Sequence, residues 1–117
     1  PLSFEEITAS KGYTYLPILA KGLSEKKVIS FKYKSINSKR SRDYIVHPHL
    51  LKEYKGTFYL IGLKDKEKEL RPFDTSCIIE TPVVLERNAE LLKDFKYEPF
   101  VAAFDSFIDK GEGSQES

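Results

Sequence analysis

The stretch HPHLLKEYKGTFYLIG, residues His47–Gly62, carries the strongest indication of the fold. Its first half contains Pro48, which cannot donate to a β-ladder and therefore predicts an edge or a bulge. Lys55–Gly56 is a turn signal between the two halves. The second half is apolar at consecutive positions, as in a central strand that is buried on both faces. Two strands joined by a tight turn are therefore predicted.

Segments on either side of this stretch extend the same pattern. The preceding VISFKYKS alternates apolar and polar side chains, which predicts a half-buried strand. Five strands are predicted in all, near residues 28–35, 43–53, 57–64, 69–73 and 77–85. An apolar stripe at helical spacing predicts a helix near residues 15–24. The fold class that follows is mainly β: a small five-stranded antiparallel barrel, SH3-like or Sm-like, with an N-terminal helix and a C-terminal helix.

The chain divides into four parts by pattern. Residues 1–12 form an arm or linker stub, 13–85 the barrel domain, 86–110 a C-terminal helical extension and 111–117 a flexible tail. In the extension, helical spacing places four apolar side chains on one stripe: Phe100, Phe104, Phe107 and Ile108. Because such a stripe must find cover, we expect a helix over 99–109 that is buried with the help of a second chain, in a homodimer.

Composition fits one globular domain of 117 residues, of which 40% are hydrophobic and 32% charged. No run approaches the ~18 apolar residues of a membrane span, so no membrane partner is expected. The single cysteine, Cys77, agrees with a reducing, cytoplasmic compartment. Methionine is absent even at position 1, so we expect an excised or processed piece of a longer chain.

Charge is unevenly distributed along the chain. Residues 26–79 carry 13 basic and 6 acidic side chains, a net charge of +7, whereas residues 80–117 carry 4 basic and 9 acidic ones, a net charge of −5. A basic middle can indicate an anionic partner, or simply lysines on solvated strand faces.

At Phe58-Tyr59-Leu60 the chain resembles the WYL-domain family of bacterial transcriptional regulators. Three segments in the right order carry the resemblance, which covers roughly residues 13–85: YLPILAKGLSEKKVISFKY, HPHLLKEYKGTFYLIG and ELRPFDTSCI. The family implies an SH3-like or Sm-like barrel behind a helix-turn-helix DNA-binding domain. It also implies a sensory role, with a nucleotide-like or single-stranded nucleic-acid ligand.

The sequence departs from the family pattern at two places. Phe58 stands at the tryptophan position and lacks the indole donor. The last motif keeps Phe73 and Ile78, but residues 74–77 replace both family arginines. If those arginines hold a phosphate in relatives, this chain must use other cations or bind a different ligand.

Six residues are predicted to bind the ligand: His47, Tyr59, Arg71, Arg42, Lys32 and Phe73. Arginine suits bidentate anion contact, and a basic face with aromatic rings is how small barrels hold single strands. We expect His47, Tyr59 and Arg71 to converge on one concave surface. The alternatives are a core tyrosine, an arginine in a surface ion pair and a histidine with a purely structural role.

Other chemistry finds little support in the sequence. His47 and His49, two positions apart, could hold a metal, but a third and fourth ligand are not evident. Because a glycine-rich phosphate loop and a serine elbow are also missing from the sequence, we expect neither a cofactor nor an enzyme. The leading hypothesis is a ligand-sensing regulatory domain, and the alternative is an assembly module that holds regulator subunits together.

Overall fold

The computed structural model describes residues 13–95, which form a single antiparallel sheet and one α-helix. The elements are helix α1 (Leu16–Glu25) and strands β1 (Lys27–Tyr33), β2 (Arg42–Tyr54), β3 (Thr57–Lys64), β4 (Leu70–Asp74) and β5 (Val83–Asn88), with a 3-10 turn over Thr75–Cys77. The predicted mainly β fold with five antiparallel strands and an N-terminal helix is confirmed. The predicted C-terminal helix over 99–109 lies outside the described residues.

The strand order is β4-β3-β2-β1-β5, and the pairing register assigns each side chain to one of two faces. Directly paired residues share a face, and successive residues of a strand alternate between faces. The inner face, which packs against α1, carries Ile29, Phe31, Tyr33, Val46, Leu60 and Phe73. The outer face carries His47, Tyr59, Ile61 and Leu63.

Helix α1 covers part of the inner face. Pro17 is tolerated because it lies in the first turn, where its missing N–H has no intrahelical partner. The helix ends at Glu25 and is capped by Lys26, which has a left-handed backbone and donates its N–H to the carbonyls of Gly22 and Leu23. Leu19 is fully buried, and a Cβ at Gly22 would overlap Ile29 Cδ1. Glycine is therefore what allows the helix to lie so close to β1.

The β2–β3 hairpin forms where the sequence predicts it. Lys55 and Gly56 both have positive φ, 51° and 83°, as the two central residues of a type I′ turn require. The pairing register shifts between Pro48 and Leu50, which is the predicted bulge at the proline. Strand β3 has β4 on one side and β2 on the other, so its prediction as a central strand is confirmed.

The sheet curls without a continuous closed ladder. β4 and β5 end the strand order, but the chain after β4 returns to the second half of β1. There Ile78 bridges Tyr33, Ile79 N–H donates to Lys32 O at 3.0 Å, and Lys34 N–H donates to Cys77 O at 2.9 Å. The structure therefore supports an open, curled sheet, and the closed barrel stays a prediction.

The fifth strand begins later than predicted. Asp74 Oδ1 accepts the N–H of Ser76 at 2.9 Å, which caps the start of the 3-10 turn and interrupts the extended chain. Ile78 then makes only an isolated bridge, and regular pairing with β1 resumes in β5 at Val83. The predicted strand over 77–85 is thus corrected to a bridge followed by Val83–Asn88.

Candidate ligand site and histidine contacts

Arg71 is held in an aromatic cage on the inner face. Its Cζ lies 4.9 Å from the Phe73 ring centroid, 5.3 Å from that of Tyr33 and 5.4 Å from that of Tyr44. Nη1 donates to Tyr44 Oη at 3.0 Å and Nη2 to Ser35 Oγ at 3.4 Å. The residue is 6% exposed. A cation over an aromatic ring is stabilised by about 2 kcal/mol when desolvated, so the rings help to offset the cost of burying this charge.

Gly62 on β3 lies in the strand ladder between its direct partners, Pro48 on β2 and Arg71 on β4, on the inner face. A Cβ at this position would overlap Val46 Cγ1, so the inner face has room for hydrogen only. The glycine at the end of FYLIG therefore makes room for the side chain of Val46.

A cationic loop, defined as residues 34–42, comprises the connection from β1 to β2 and the first residue of β2, next to this cage. Its four cations are exposed, and its sequence contains no carboxylate: Lys34, Lys39, Arg40 and Arg42. Ser35, near the start of the loop, is buried and accepts a hydrogen bond from Arg71. Arg42, at the end of the loop, is the ladder partner of Tyr33 in the cage. Ile36 is 81% exposed between these cations. The loop thus presents a dense positive charge at the edge of the cage.

Lys32 lies on the outer face and forms an ion pair with Asp43 at 3.1 Å. The hydrogen bond to Asp43 raises the pKa of Lys32, but the pair is solvated and contributes little to stability. Both side chains line a shallow outer pocket of about 290 Å³, together with Glu80. The two carboxylates make this pocket a poor anion site.

His47 is fully buried and connects three segments of the chain. Its Nδ1 accepts the backbone N–H of Glu90 at 2.8 Å, so its proton is on Nε2, which donates to Asp65 Oδ1 at 2.7 Å. Arg87 also donates to both oxygens of Asp65, at 2.7 and 3.2 Å. The Arg87 and His47 hydrogen bonds lower the pKa of Asp65 to about 2. His47 is therefore placed as a structural residue, one of the alternatives considered from sequence.

His49 repeats this arrangement two residues later. Its Nδ1–H donates to His47 O at 2.9 Å, and Nε2 accepts the backbone N–H of Leu92 at 3.0 Å. Its ring packs edge-on against that of Phe95, with 5.3 Å between the ring centroids. Burial is the main reason that the pKa of His49 lies below 6.5. The two histidines thus fasten a strap (residues 89–95) to the outer face. Of the helical extension predicted over 86–110, residues 86–88 belong to β5 and residues 89–95 are irregular. The remainder lies outside the described residues.

The predicted convergence of His47, Tyr59 and Arg71 is wrong. Arg71 pairs with Gly62 and lies on the inner face, whereas His47 pairs with Leu63 and lies on the outer face. Tyr59 is half-buried on the outer face. It lies four residues along β3 from Leu63, the ladder partner of His47, which is a separation of ~13 Å at about 3.3 Å per residue. Of the six predicted residues, Arg71 and Phe73 are in contact, and Arg42 is the ladder partner of Tyr33 in the same cage, whereas Lys32, His47 and Tyr59 lie elsewhere.

Sequence reasoning missed three features of this region. Tyr44 alternates with Val46 in β2, so period-two patterning could have placed it on the inner face. Ser35 carries no signal, since any small polar residue could open a loop. The strap is held by contacts between residues 43 apart, which local pattern cannot show.

Comparison with known proteins agrees with this architecture. The WYL-domain family model matches residues 14–82, and the chain belongs to that family. Its structure is similar to that of proteasome accessory factor B/C (PafBC) of Arthrobacter aurescens, with a TM-score of 0.68 and 24% identity. The match covers 75% of this chain and 14% of that chain, so this chain spans only a small part of that protein. At this identity the likeness shows the fold alone. A search of curated proteins found no match.

Two further observations concern residues 13–95 only. In this part of the chain, no three His, Cys, Asp or Glu side chains come together as a metal site would require. Within the same residues, no helix is long and apolar enough to cross a membrane.

Proposed function

We propose that this chain contains the ligand-sensing regulatory domain of a bacterial transcriptional regulator, with an anionic ligand bound at the cationic loop. The ligand class is a nucleotide or a short single-stranded nucleic acid. DNA contact belongs to a helix-turn-helix domain elsewhere in the parent protein, in the cytoplasm. Membership in the WYL family supports a regulatory domain, and the curled sheet is compatible with an SH3-like or Sm-like barrel.

The proposal rests on one observation, the positive charge of the cationic loop. Four exposed cations lie within nine residues, with no carboxylate between Lys34 and Arg42. Lysine and arginine neutralise phosphates and release their counterions, which drives binding independently of base sequence. The exposed side chain of Ile36 adds an apolar surface against which a base can lie.

Arg71 has a second role in this proposal. It is buried, so a ligand reaches it only when the loop shifts. Its contact to Ser35 Oγ is 3.4 Å, longer than its 3.0 Å contact to Tyr44 Oη. A phosphate oxygen that replaces Ser35 would form a shorter, charge-assisted hydrogen bond with Nη2. Phe73, Tyr33 and Tyr44 would keep the guanidinium in place during this exchange, and ligand binding would change the position of the loop.

The experiment is a binding titration of the 117-residue chain with a fluorescent single-stranded oligonucleotide and with a nucleoside triphosphate. In 0.15 M salt, each lost phosphate contact is expected to weaken binding about fourfold for single strands. The double substitution Lys39→Gln/Arg40→Gln should therefore weaken oligonucleotide binding about fifteenfold. Lys21→Gln removes an exposed lysine of α1 and serves as the matched control. Equal affinity in all three proteins would refute the assignment of the loop.

A second candidate function, an assembly module, is favoured by one observation on the outer face. Ile45 and Val83 are the direct partners of Ser30 on its two sides, and they are 41% and 54% exposed. This outer row borders the 290 Å³ pocket. A homodimer through the row would dissociate on Val83→Asp but not on Ile36→Asp, as light scattering over a concentration series would show. A monomer at every concentration would exclude this candidate.

A further inference from the structure

An apolar cluster lies on the outer face, away from helix α1. Ile61 is fully buried there, although it points away from the core that α1 covers. Four partly buried side chains surround it: Leu50, Tyr54, Tyr59 and Leu70. This group is called the outer cluster. An apolar surface on the second face of a sheet usually indicates a packing partner.

The strap brings the chain to this cluster. Phe95, the last described residue, lies edge-on to His49 at 5.3 Å. His49 is followed directly by Leu50, the ladder partner of Ile61. Phe95, where the described chain ends, is therefore held against the residue that leads directly into the outer cluster.

We propose that residues 96–109 dock on the outer cluster of their own chain. Helical spacing would place Phe100, Phe104, Phe107 and Ile108 on one stripe, and this stripe would be ~12 Å long at about 1.5 Å per residue. The cluster extends along β3 from Ile61 to Thr57, the partner of Tyr54, over ~13 Å at about 3.3 Å per residue. The two surfaces thus match in length.

Charge favours the same arrangement. Residues 96–117 carry five carboxylates and two lysines, a net charge of −3. Lys52 and Asp74 are the two direct partners of Tyr59 on the outer face, and Lys55 lies at the adjoining hairpin turn, so these three side chains keep a net charge of +1. Attraction between these lysines and the acidic segment acts over about 8–10 Å at ordinary salt, so it operates when the segment lies at the edge of the outer cluster. The docked segment would complete a three-layer domain: α1, the sheet and the C-terminal segment.

Disulfide trapping tests the proposal directly. In a Cys77→Ser background, Tyr59→Cys is combined with a cysteine at Phe100, Phe104 or Phe107. We expect at least one pair to form a disulfide within the monomer at micromolar protein. Ile45→Cys, on a distant part of the outer face, should form none with the same partners. A disulfide only between two chains would overturn the proposal in favour of a second copy as the occupant, and no disulfide in any pair would overturn it altogether.

Thermal melting gives a second test that does not require new cysteines. Phe104→Asp should lower the melting temperature by about 4–8 °C, which corresponds to about 1 kcal/mol in a domain of about 60–100 residues. Ser106→Asp introduces the same charge on the opposite side of the helical wheel and should change the melting temperature little. Equal melting temperatures for Phe104→Asp and Ser106→Asp would contradict the docking.

Discussion

Replacing Gly62 by alanine should destabilise the domain through one identified contact. The added Cβ would overlap Val46 Cγ1, and Val46 is fully buried beneath α1. Over-packing of this kind costs about 1–3 kcal/mol. Alanine in a strand regains about 0.5–1 kcal/mol relative to glycine, because the unfolded chain loses less freedom on folding. The free energy of unfolding should therefore fall by about 1–2 kcal/mol, and the melting temperature by about 4–8 °C per kcal/mol.

The same substitution should reverse its sign once Val46 is shortened. Val46→Ala alone removes two buried methyl groups and should cost about 2–3 kcal/mol. In that background the Cγ1 atom is gone, so Gly62→Ala should be neutral or stabilising by up to about 1 kcal/mol. The resulting coupling of about 1–3 kcal/mol is measurable by urea unfolding of the four proteins in a double-mutant cycle. A Gly62→Ala cost that is equal in both backgrounds would refute the steric reasoning.

Three other predictions follow from the described contacts. Tyr33→Phe leaves the N–H of Asp74 without the hydroxyl that accepts it at 2.9 Å. Denaturant titration should show that the free energy of unfolding falls by about 1–2 kcal/mol. An unchanged free energy would mean that water replaces the hydroxyl. Because the pKa of His49 is lowered, its contribution to folding stability is fully present above pH 6.5 and is lost as the pH falls through the folded-state pKa. The urea midpoint should therefore decline from about pH 7.5 to about pH 5, and it should decline less in His49→Gln. The pKa of Asp65 is lowered to about 2, so its contribution is present above pH 3.8 and is lost as the pH falls through about 2; Asp65→Asn should flatten the acid limb of the stability profile, and an unchanged limb would contradict the assignment.

Local features of this fold were predictable from the sequence. The alternation in β1, the Lys55–Gly56 turn and the bulge at Pro48 each depend on a few adjacent residues. The start of β5 was mispredicted because a side chain of Asp74 competes with the ladder for backbone hydrogen bonds.

The faces of the sheet were harder to predict than its strands. A register shift of one residue between β3 and β4 would move Arg71 to the outer face, so the location of Arg71 depends on its pairing with Gly62. That pairing is set by the turn between the strands and by packing, neither of which is a local sequence signal. The pairing of His47 and His49 with the strap likewise depends on contacts between distant residues.

The salt dependence of oligonucleotide binding tests the central claim most directly. If the four cations of the cationic loop each neutralise one phosphate, the logarithm of the association constant should fall with the logarithm of salt concentration with a slope of about −3. The slope for Lys39→Gln/Arg40→Gln should be about −1.4, and Lys21→Gln should keep the original value. A slope near zero for the unmodified chain, or equal slopes for the unmodified chain and the loop variant, would contradict an anionic ligand at this loop.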